Sequence, residues 1–170
     1  MLDVGCGTAG HVGRLVADQG ARVTGVDLSA RSMALAQRRH PGLRFVAADM
    51  RALPFATGAC RGIVAFYSLI YTPPVSELVE LRRVHAPGGA LLLAVHAGEG
   101  VQRFDSCQGI PVEVDLHLRS PEVLAGQLRA AGFTVELLEE RRRRRPLRRG
   151  PRRADRRDSH GRSPGRSTAG

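Results

Sequence analysis

The first residues that could do chemistry are a run of glycines and a carboxylate near the start of the chain. Leu2-Asp3-Val4 runs directly into Gly5-Cys6-Gly7, and a second apolar segment ends at Asp27-Leu28. Glycines after the first strand of a βαβ unit let the backbone approach a ligand closely where the next helix begins. A carboxylate that ends the second strand can accept hydrogen bonds from both hydroxyls of a ribose. These residue types and spacings predict a site for a nucleoside-bearing cofactor.

Two classes of cofactor fit this layout. Gly5-x-Gly7-x-x-Gly10, with Asp27 following at the expected distance, matches the dinucleotide fingerprint and would indicate an NAD(P)-dependent oxidoreductase. Asp3, however, lies inside the first strand, where it would face the anionic pyrophosphate of a dinucleotide. A cationic sulfonium ligand would tolerate that carboxylate well. Asp3 therefore favours the sulfonium, and the dinucleotide stays as the alternative.

The elements that must position these residues alternate between strand and helix. This alternation predicts an α/β fold with a doubly wound, mostly parallel sheet covered on both faces. A long loop, residues 96–119, is expected to act as a lid over the substrate. The predicted strands are 1–4, 22–26, 43–47, 62–66, 90–95 and 133–138. The predicted helices are 9–19, 29–39, 120–131 and a fourth that begins at Pro73-Pro74 and ends at Pro87-Gly88-Gly89.

Four segments, in this order, resemble the motifs of the class I S-adenosylmethionine-dependent methyltransferases. They are 1–8, 45–50, 62–68 and 87–93. The resemblance covers roughly residues 1–140 and implies a Rossmann-like sheet, S-adenosyl-L-methionine as the cofactor, and methyl transfer as the activity. The family usually has a glycine two residues after Gly7, where this chain has Ala9 followed by Gly10. The cofactor loop is therefore either substituted or one residue longer.

The resemblance also assigns roles to individual residues. It implies that Asp27 binds the ribose and that Asp49 lies against the adenine amino group. A catalytic base is needed only if the acceptor must lose a proton. The candidates are His96 and Tyr71, followed by Tyr67 at a strand end and by Asp105 and His117 in the later loop. Three widely spaced cysteines predict neither a disulfide framework nor a metal site. The full set of expected cofactor-binding residues is Asp3, Gly5, Cys6, Gly7, Asp27, Leu28, Asp49, Met50 and Phe66.

The two ends of the chain depart from the resemblance. The 170-residue chain has a net charge of +10, and half of its 26 cationic residues, all arginines, fall within 141–170. We expect domain 1–140 to bind the cofactor and 141–170 to be a disordered, Arg-rich tail. The seventh, antiparallel strand of the family is not legible, and the chain begins inside the first motif. We expect a truncated start and an end translated out of frame, which leaves open an inactive cofactor-binding fragment.

The acceptor is expected to be a small molecule. The segment after the fourth strand reads Phe66-Tyr67-Ser68, which differs from the motif of enzymes that methylate base amines. Because residues 1–140 are almost neutral, they have no nucleic-acid footprint, and the Arg-rich tail would bind polyanions without specificity. The sequence shows neither a signal peptide nor an apolar run long enough to span a bilayer, so we expect no membrane partner and a cytoplasmic location.

Overall fold

A computed structural model describes residues 1–71, 75–107 and 109–141. Met1–Glu140 forms one compact unit. The tail predicted over 141–170 lies outside the described residues, apart from Arg141. The elements in chain order are β1 (Leu2–Val4), α1 (His11–Ala17), β2 (Thr24–Asp27), α2 (Ala30–Arg39), β3 (Arg44–Ala47), β4 (Cys60–Phe66), α3 (Val75–Val84), β5 (His85–Ala94), β6 (Val101–Cys107), β7 (Ile110–His117) and α4 (Pro121–Ala130).

Five parallel strands form the central sheet in the order β3-β2-β1-β4-β5. The chain leaves β1 toward β2 and β3, and then returns to place β4 on the other side of β1. The direction of winding therefore reverses between β1 and β4. In open α/β sheets, ligands bind at the carboxyl ends of the strands at such a switch point. The predicted Rossmann-like, doubly wound α/β class is confirmed.

The core explains why these segments become central strands. Leu2, Val4 and Ile63 are almost fully buried, as parallel strands covered on both faces require. One helical layer packs Leu78 and Leu81 of α3 against them. Ser29 caps α2 by accepting a hydrogen bond from the Ser32 amide, and Ser120 caps α4 in the same way through the Val123 amide.

The predicted strand over 133–138 is wrong. The described backbone of these residues forms no strand, and Leu137 is 80% exposed. The apolar-polar alternation indicated a strand, but a strand also needs a neighbour for its backbone groups. In the resembled family that neighbour is the seventh strand, and within the described residues no antiparallel strand joins the free edge of β5. The expectation that the seventh strand is missing concerns the chain after residue 140, which lies outside the described residues apart from Arg141, so it stays a prediction.

Two further predictions change in detail. Residues 96–119 are not an irregular loop, because they contain the antiparallel hairpin of β6 and β7. Strand β5 begins at His85 rather than at residue 90. Its pairing with β4 shifts register between Cys60 and Gly62, and Gly88 in this part of β5 has φ 68°. Among the described residues, no helix is both long and apolar enough to cross a membrane.

Candidate functional site

The loop after β1 approaches the loop after β4 more closely than any side chain would allow. Gly5 has φ 71°, and a Cβ placed there would lie 2.2 Å from the Ser68 Cβ. Gly7 also has positive φ, 61°, but a Cβ there would meet nothing within 4 Å. Gly5 is therefore required by the packing between the two loops. Gly7 leaves open space at the switch point, as a closely approaching ligand needs.

Asp27 connects the first two loops of the sheet. One carboxylate oxygen accepts a hydrogen bond from the Gly7 amide at 3.0 Å, and the other accepts from the Ser29 amide at 3.1 Å. A carboxylate has about four lone-pair sites, so each oxygen keeps capacity for a further donor. Asp27 is only partly buried. Its geometry suits a ligand that offers two adjacent hydroxyls.

Asp3 lies beneath the cofactor loop rather than at its surface. It is 2% exposed, and its carboxylate accepts a hydrogen bond from the Gly13 amide in α1 at 2.8 Å. Burial raises the pKa of Asp3 above its ordinary value, although the Gly13 hydrogen bond partly lowers it. Asp3 thus fixes the position of α1 against β1 and places a buried carboxylate under the loop.

The Cys6 side chain packs inside the loop. Its Sγ lies 3.9 Å from the Sδ of Met33, and a Cβ on Gly25 would lie 2.8 Å from that Sγ. Burial, followed by the charges of Asp3 and Asp27, raises the pKa of the thiol to about 12. A thiol with this pKa stays protonated at neutral pH and is a poor nucleophile. Any contact of Cys6 with a ligand would therefore run through its backbone.

Asp49 follows β3 at the same edge of the sheet. Arg51 forms a bidentate pair with its carboxylate, with Nη2 at 2.6 Å and Nε at 3.0 and 3.1 Å. The hydrogen bonds from Arg51 lower the pKa of Asp49 to about 2. Both side chains are substantially exposed, so the pair adds little to the free energy of unfolding. Its consequence is that Asp49 stays ionised and held in one orientation.

The apolar residues expected around the cofactor fall into two groups. Leu28 is 73% exposed and Phe66 is 47% exposed, so neither belongs to the core. Met50 is partly buried and packs against the main core cluster. Leu28 directly follows β2 and Phe66 ends β4, so both exposed apolar side chains lie at the carboxyl ends of strands.

The structure does not bring the candidate bases His96 and Tyr71 together. His96 follows β5, is partly buried, and its ring lies 4.7 Å from the ring of Tyr67. Tyr71 is 58% exposed, and among the described residues no ring contact joins it to His96. The neighbour of His96 is thus Tyr67, which is itself a candidate by its place at a strand end, but the sequence does not predict the pairing of the two rings. No motif marks that pairing, because it depends on the meeting of β4 and β5.

Other residues that sequence reasoning missed support the cofactor loop from outside. Arg39 donates to the Thr8 carbonyl at 3.0 Å, and the His40 Nε2 lies 2.8 Å from the Ala9 carbonyl oxygen. Both residues stand at the end of α2, where a basic residue is ordinary. Nothing in the local sequence signals that they bond to a loop about thirty residues earlier.

The residues present fit S-adenosylmethionine. Asp27 keeps acceptor capacity for a ribose, Gly7 opens onto free space, and Asp49 offers an ionised acceptor for an amino group. The Ser68 Oγ, buried beside Gly5, has no hydrogen-bond partner among the described residues. No group of three or more His, Cys, Asp or Glu side chains in this part of the chain could hold a metal ion.

Comparison with known proteins agrees with this geometry. Residues 1–89 match the family model described as a methyltransferase domain. The chain is 34% identical over 117 residues to a demethylmenaquinone methyltransferase of Beutenbergia cavernae, covering 68% of this chain and 48% of that protein. It is 32% identical to a malonyl-[acyl-carrier protein] O-methyltransferase of Enterobacter lignolyticus, covering 59% of this chain and 40% of that protein.

Solved structures show the same fold. The crystal structure of an S-adenosylmethionine-dependent methyltransferase from Mesorhizobium loti superposes with a TM-score of 0.66 at 22% identity, covering 82% of this chain and 76% of that one. The chain belongs to the methyltransferase domain family, and the class predicted from its motifs is confirmed. It spans about half the length, or less, of the two curated relatives described above. The cofactor of this class is S-adenosylmethionine, which takes the place of the dinucleotide alternative.

Proposed function

We propose that this chain binds S-adenosylmethionine at the β1–β4 switch point and transfers its methyl group to a small-molecule acceptor. The observation that carries this proposal is the Asp27 carboxylate, held by the Gly7 and Ser29 amides. It presents a fixed pair of acceptors beside a glycine loop that opens onto free space. The relatives named for demethylmenaquinone and malonyl-[acyl-carrier protein] support methyl transfer as the reaction.

Each cofactor-binding residue has a distinct role in this proposal. Asp27 accepts from the ribose hydroxyls, and Asp49 accepts from the adenine amino group. Leu28, Met50 and Phe66 flank the adenosine with apolar surface. Gly5, Cys6 and Gly7 form the loop under the ligand, and Asp3 holds that loop on α1 while supplying a buried negative charge that suits a cation.

The protein has little covalent chemistry to perform. When bound, the sulfonium supplies an activated methyl group for in-line displacement. The chain contributes by holding the acceptor close and in line, which can account for several kcal/mol of the barrier. We assign His96 the role of accepting a proton from an acceptor that must lose one, because it lies partly buried beside the switch point. Tyr71 is the second candidate.

Partners and location follow from the same reasoning. We propose no specific nucleic-acid partner for residues 1–140 and non-specific polyanion binding by the Arg-rich tail. Removing 141–170 should abolish RNA binding at low salt and leave cofactor affinity unchanged, as measured in a salt series. Cys6 and Cys60 are free thiols, which is compatible with the reducing cytoplasm we propose as the location.

The proposed function is tested by following label from methyl-tritiated S-adenosylmethionine into a panel of phenols, carboxylic acids and amines. We expect transfer to one class, and loss of transfer in Asp27→Asn. Gly20→Ala is the control, since Gly20 has positive φ, lies between α1 and the start of β2 rather than at a carboxyl end of a strand, and has nothing within 4 Å of its added Cβ. Equal transfer by Asp27→Asn and the unmodified chain would contradict the assignment of the site.

A further inference from the structure

Three rings form a cluster where β4 and β5 end. The Phe66 and Tyr67 rings meet edge to face with centroids 4.8 Å apart, and the Tyr67 and His96 rings are tilted by 34° with centroids 4.7 Å apart. Phe66 remains 47% exposed and Tyr67 42% exposed. We call Phe66, Tyr67 and His96 the ring cluster. Rings in contact with one another and still open to solvent are suited to hold a further ring.

Tyr67 holds its place in the ring cluster at a backbone cost. Its φ is 54°, and it is the one non-glycine residue with positive φ in the part of the chain described here. The left-handed conformation is unfavourable for a residue with a Cβ. The Tyr67 amide donates to the Ala94 carbonyl at 2.8 Å, which fixes this turn on β5. A bulky residue kept in such a conformation at the end of a strand points to a use for its side chain.

The ring cluster borders the cofactor loop. Ser68, the next residue after Tyr67, packs so tightly on Gly5 that no Cβ fits between them. The cluster therefore stands at the switch point, directly beside the glycines that receive the cofactor. A small molecule lying on these rings would be next to the bound cofactor without any movement of the sheet.

Arg119 fixes the His96 side of the cluster. Its amide donates to the His96 carbonyl at 3.0 Å, and its buried guanidinium donates to the Leu69 carbonyl at 3.1 Å. Arg119 thereby joins the end of β5 to the turn after β4. The backbones that carry Tyr67 and His96 are held together by this residue, so the spacing of the two rings is built into the fold.

We propose that Tyr67 and His96 form a stacking platform for a planar acceptor, an aromatic or conjugated ring system, with Phe66 as its edge support. This inference rests on the proposed function and specifies its substrate class. A planar ring gains the interaction between ring quadrupoles in addition to burial of apolar area, whereas a saturated ring of equal size gains burial alone. That difference is the property to measure.

The test compares 2-naphthol with the saturated alcohol 2-decalol on the full chain, with and without S-adenosylhomocysteine. Binding is followed through the His96 ring resonances in a ¹H–¹³C NMR spectrum, which His96→Gln assigns by their disappearance. We expect 2-naphthol to bind about fivefold more tightly than 2-decalol and to shift the His96 resonances upfield, as a stacked ring does.

Tyr67→Gly is the informative variant. It removes the ring and at the same time suits the positive φ, so loss of binding cannot be attributed to a strained backbone. We expect it to lose the fivefold preference while S-adenosylhomocysteine affinity stays unchanged. Tyr67→Phe should keep the preference, and Phe104→Leu, which removes a 38% exposed ring on β6, should keep it as well.

The outcomes separate the two proposals. Equal binding of the two alcohols to the unmodified chain, or an unchanged preference in Tyr67→Gly, overturns the platform whether or not S-adenosylhomocysteine binds. Failure of S-adenosylhomocysteine to bind overturns the proposed function, and the titration without it still decides the platform. A preference that Tyr67→Gly removes and Tyr67→Phe retains supports the platform.

Discussion

The proposed cofactor side and the proposed acceptor side of the sheet edge are built by different means. On the cofactor side, the loops after β1 and β2 are held by hydrogen bonds from backbone amides to Asp3 and Asp27. On the acceptor side, Tyr67 and His96 meet through their rings and remain open to solvent. The first arrangement depends on backbone conformations that require glycine. The second depends on side chains that can change without altering the fold, as a site adaptable to different acceptors requires.

Among the variants that test this contrast, we expect Gly5→Ala to have the largest effect, a loss of stability. The added Cβ would lie 2.2 Å from the Ser68 Cβ at φ 71°, so both crowding and backbone strain oppose it. We expect a loss of roughly 2–5 kcal/mol in the free energy of unfolding, measured by urea denaturation. Gly7→Ala is the matched variant. With open space around its Cβ, it should lose only about 1–2 kcal/mol of stability but most of the cofactor affinity.

Equal destabilisation by Gly5→Ala and Gly7→Ala would break this distinction. It would mean that the close approach of the two loops does not limit which residues are tolerated in place of Gly5. The cofactor loop would then be held by Asp27 and α1 rather than by its contact with the turn after β4.

Asp27→Asn is expected to have the next largest effect. The amide keeps one acceptor oxygen but loses the charge and the second acceptor, so either the Gly7 or the Ser29 amide loses its bond. Charge-assisted hydrogen bonds contribute about 1.5–3 kcal/mol, which predicts a roughly tenfold to hundredfold loss of S-adenosylhomocysteine affinity by calorimetry. Asp18→Asn is the control, because Asp18, the C-cap residue of α1, forms an exposed ion pair with Arg14. A loss of less than twofold in Asp27→Asn would contradict the ribose assignment.

Asp3→Asn tests whether the buried charge matters to the ligand. S-adenosylmethionine carries a sulfonium and S-adenosylhomocysteine does not, so the variant should weaken the first roughly fivefold more than the second. An identical change for both ligands would show that Asp3 acts only on the structure of the loop.

We also expect Asp3→Asn to change how the stability of the protein depends on pH. Because burial raises the folded-state pKa of Asp3, its ionisation opposes folding as pH rises above the ordinary value of 3.8. Asp3→Asn removes that penalty, so its melting temperature at pH 7 should equal or exceed that of the unmodified chain. The difference should shrink as pH falls below about 4. A much lower melting temperature at pH 7 would mean that the Gly13 bond requires the charge.

The smallest effect is expected from Arg51→Gln. Arg51 lowers the pKa of Asp49 to about 2, so the stabilising ionised form is fully present above the ordinary 3.8 and is lost as pH falls through about 2. The variant should raise the pKa of Asp49 toward its ordinary value, as observed in the NMR titration of its carboxyl carbon. At pH 7 affinity should change about twofold or less, as for an exposed pair.

Arg103→Gln is the matched control for Arg51→Gln. Arg103 pairs with Asp115 on the hairpin at 2.8 and 3.0 Å and lowers its pKa in the same way. Its removal should raise the pKa of Asp115 and leave cofactor affinity unchanged at every pH. If both variants alter affinity equally, the effect is one of overall charge and Asp49 has no special role.

The cofactor side could be predicted from sequence because its signals are local. Glycines between an apolar strand and a helix, and an acid at the end of the next strand, are spaced by the βαβ unit itself. β1, β2 and β3 therefore lie within about two residues of their predicted ends. The motif did not show that Arg51 holds Asp49, because that pair depends on side-chain packing.

The acceptor side could not be predicted in the same way. The hairpin of β6 and β7 pairs segments whose alternation is weak, and the stacking of Tyr67 on His96 joins strands about thirty residues apart. Residues 133–138 show the opposite case, in which alternation is clear but no neighbouring strand is available in the described part of the chain. Local pattern predicts a strand only where the fold also supplies its partner.

The most direct test of the central claim is calorimetric titration of the 170-residue chain with S-adenosylhomocysteine and, separately, with NAD. The account predicts saturable binding of S-adenosylhomocysteine that Asp27→Asn weakens at least tenfold, and no heat from NAD. Binding of NAD that Asp27→Asn abolishes, with none of S-adenosylhomocysteine, would contradict it.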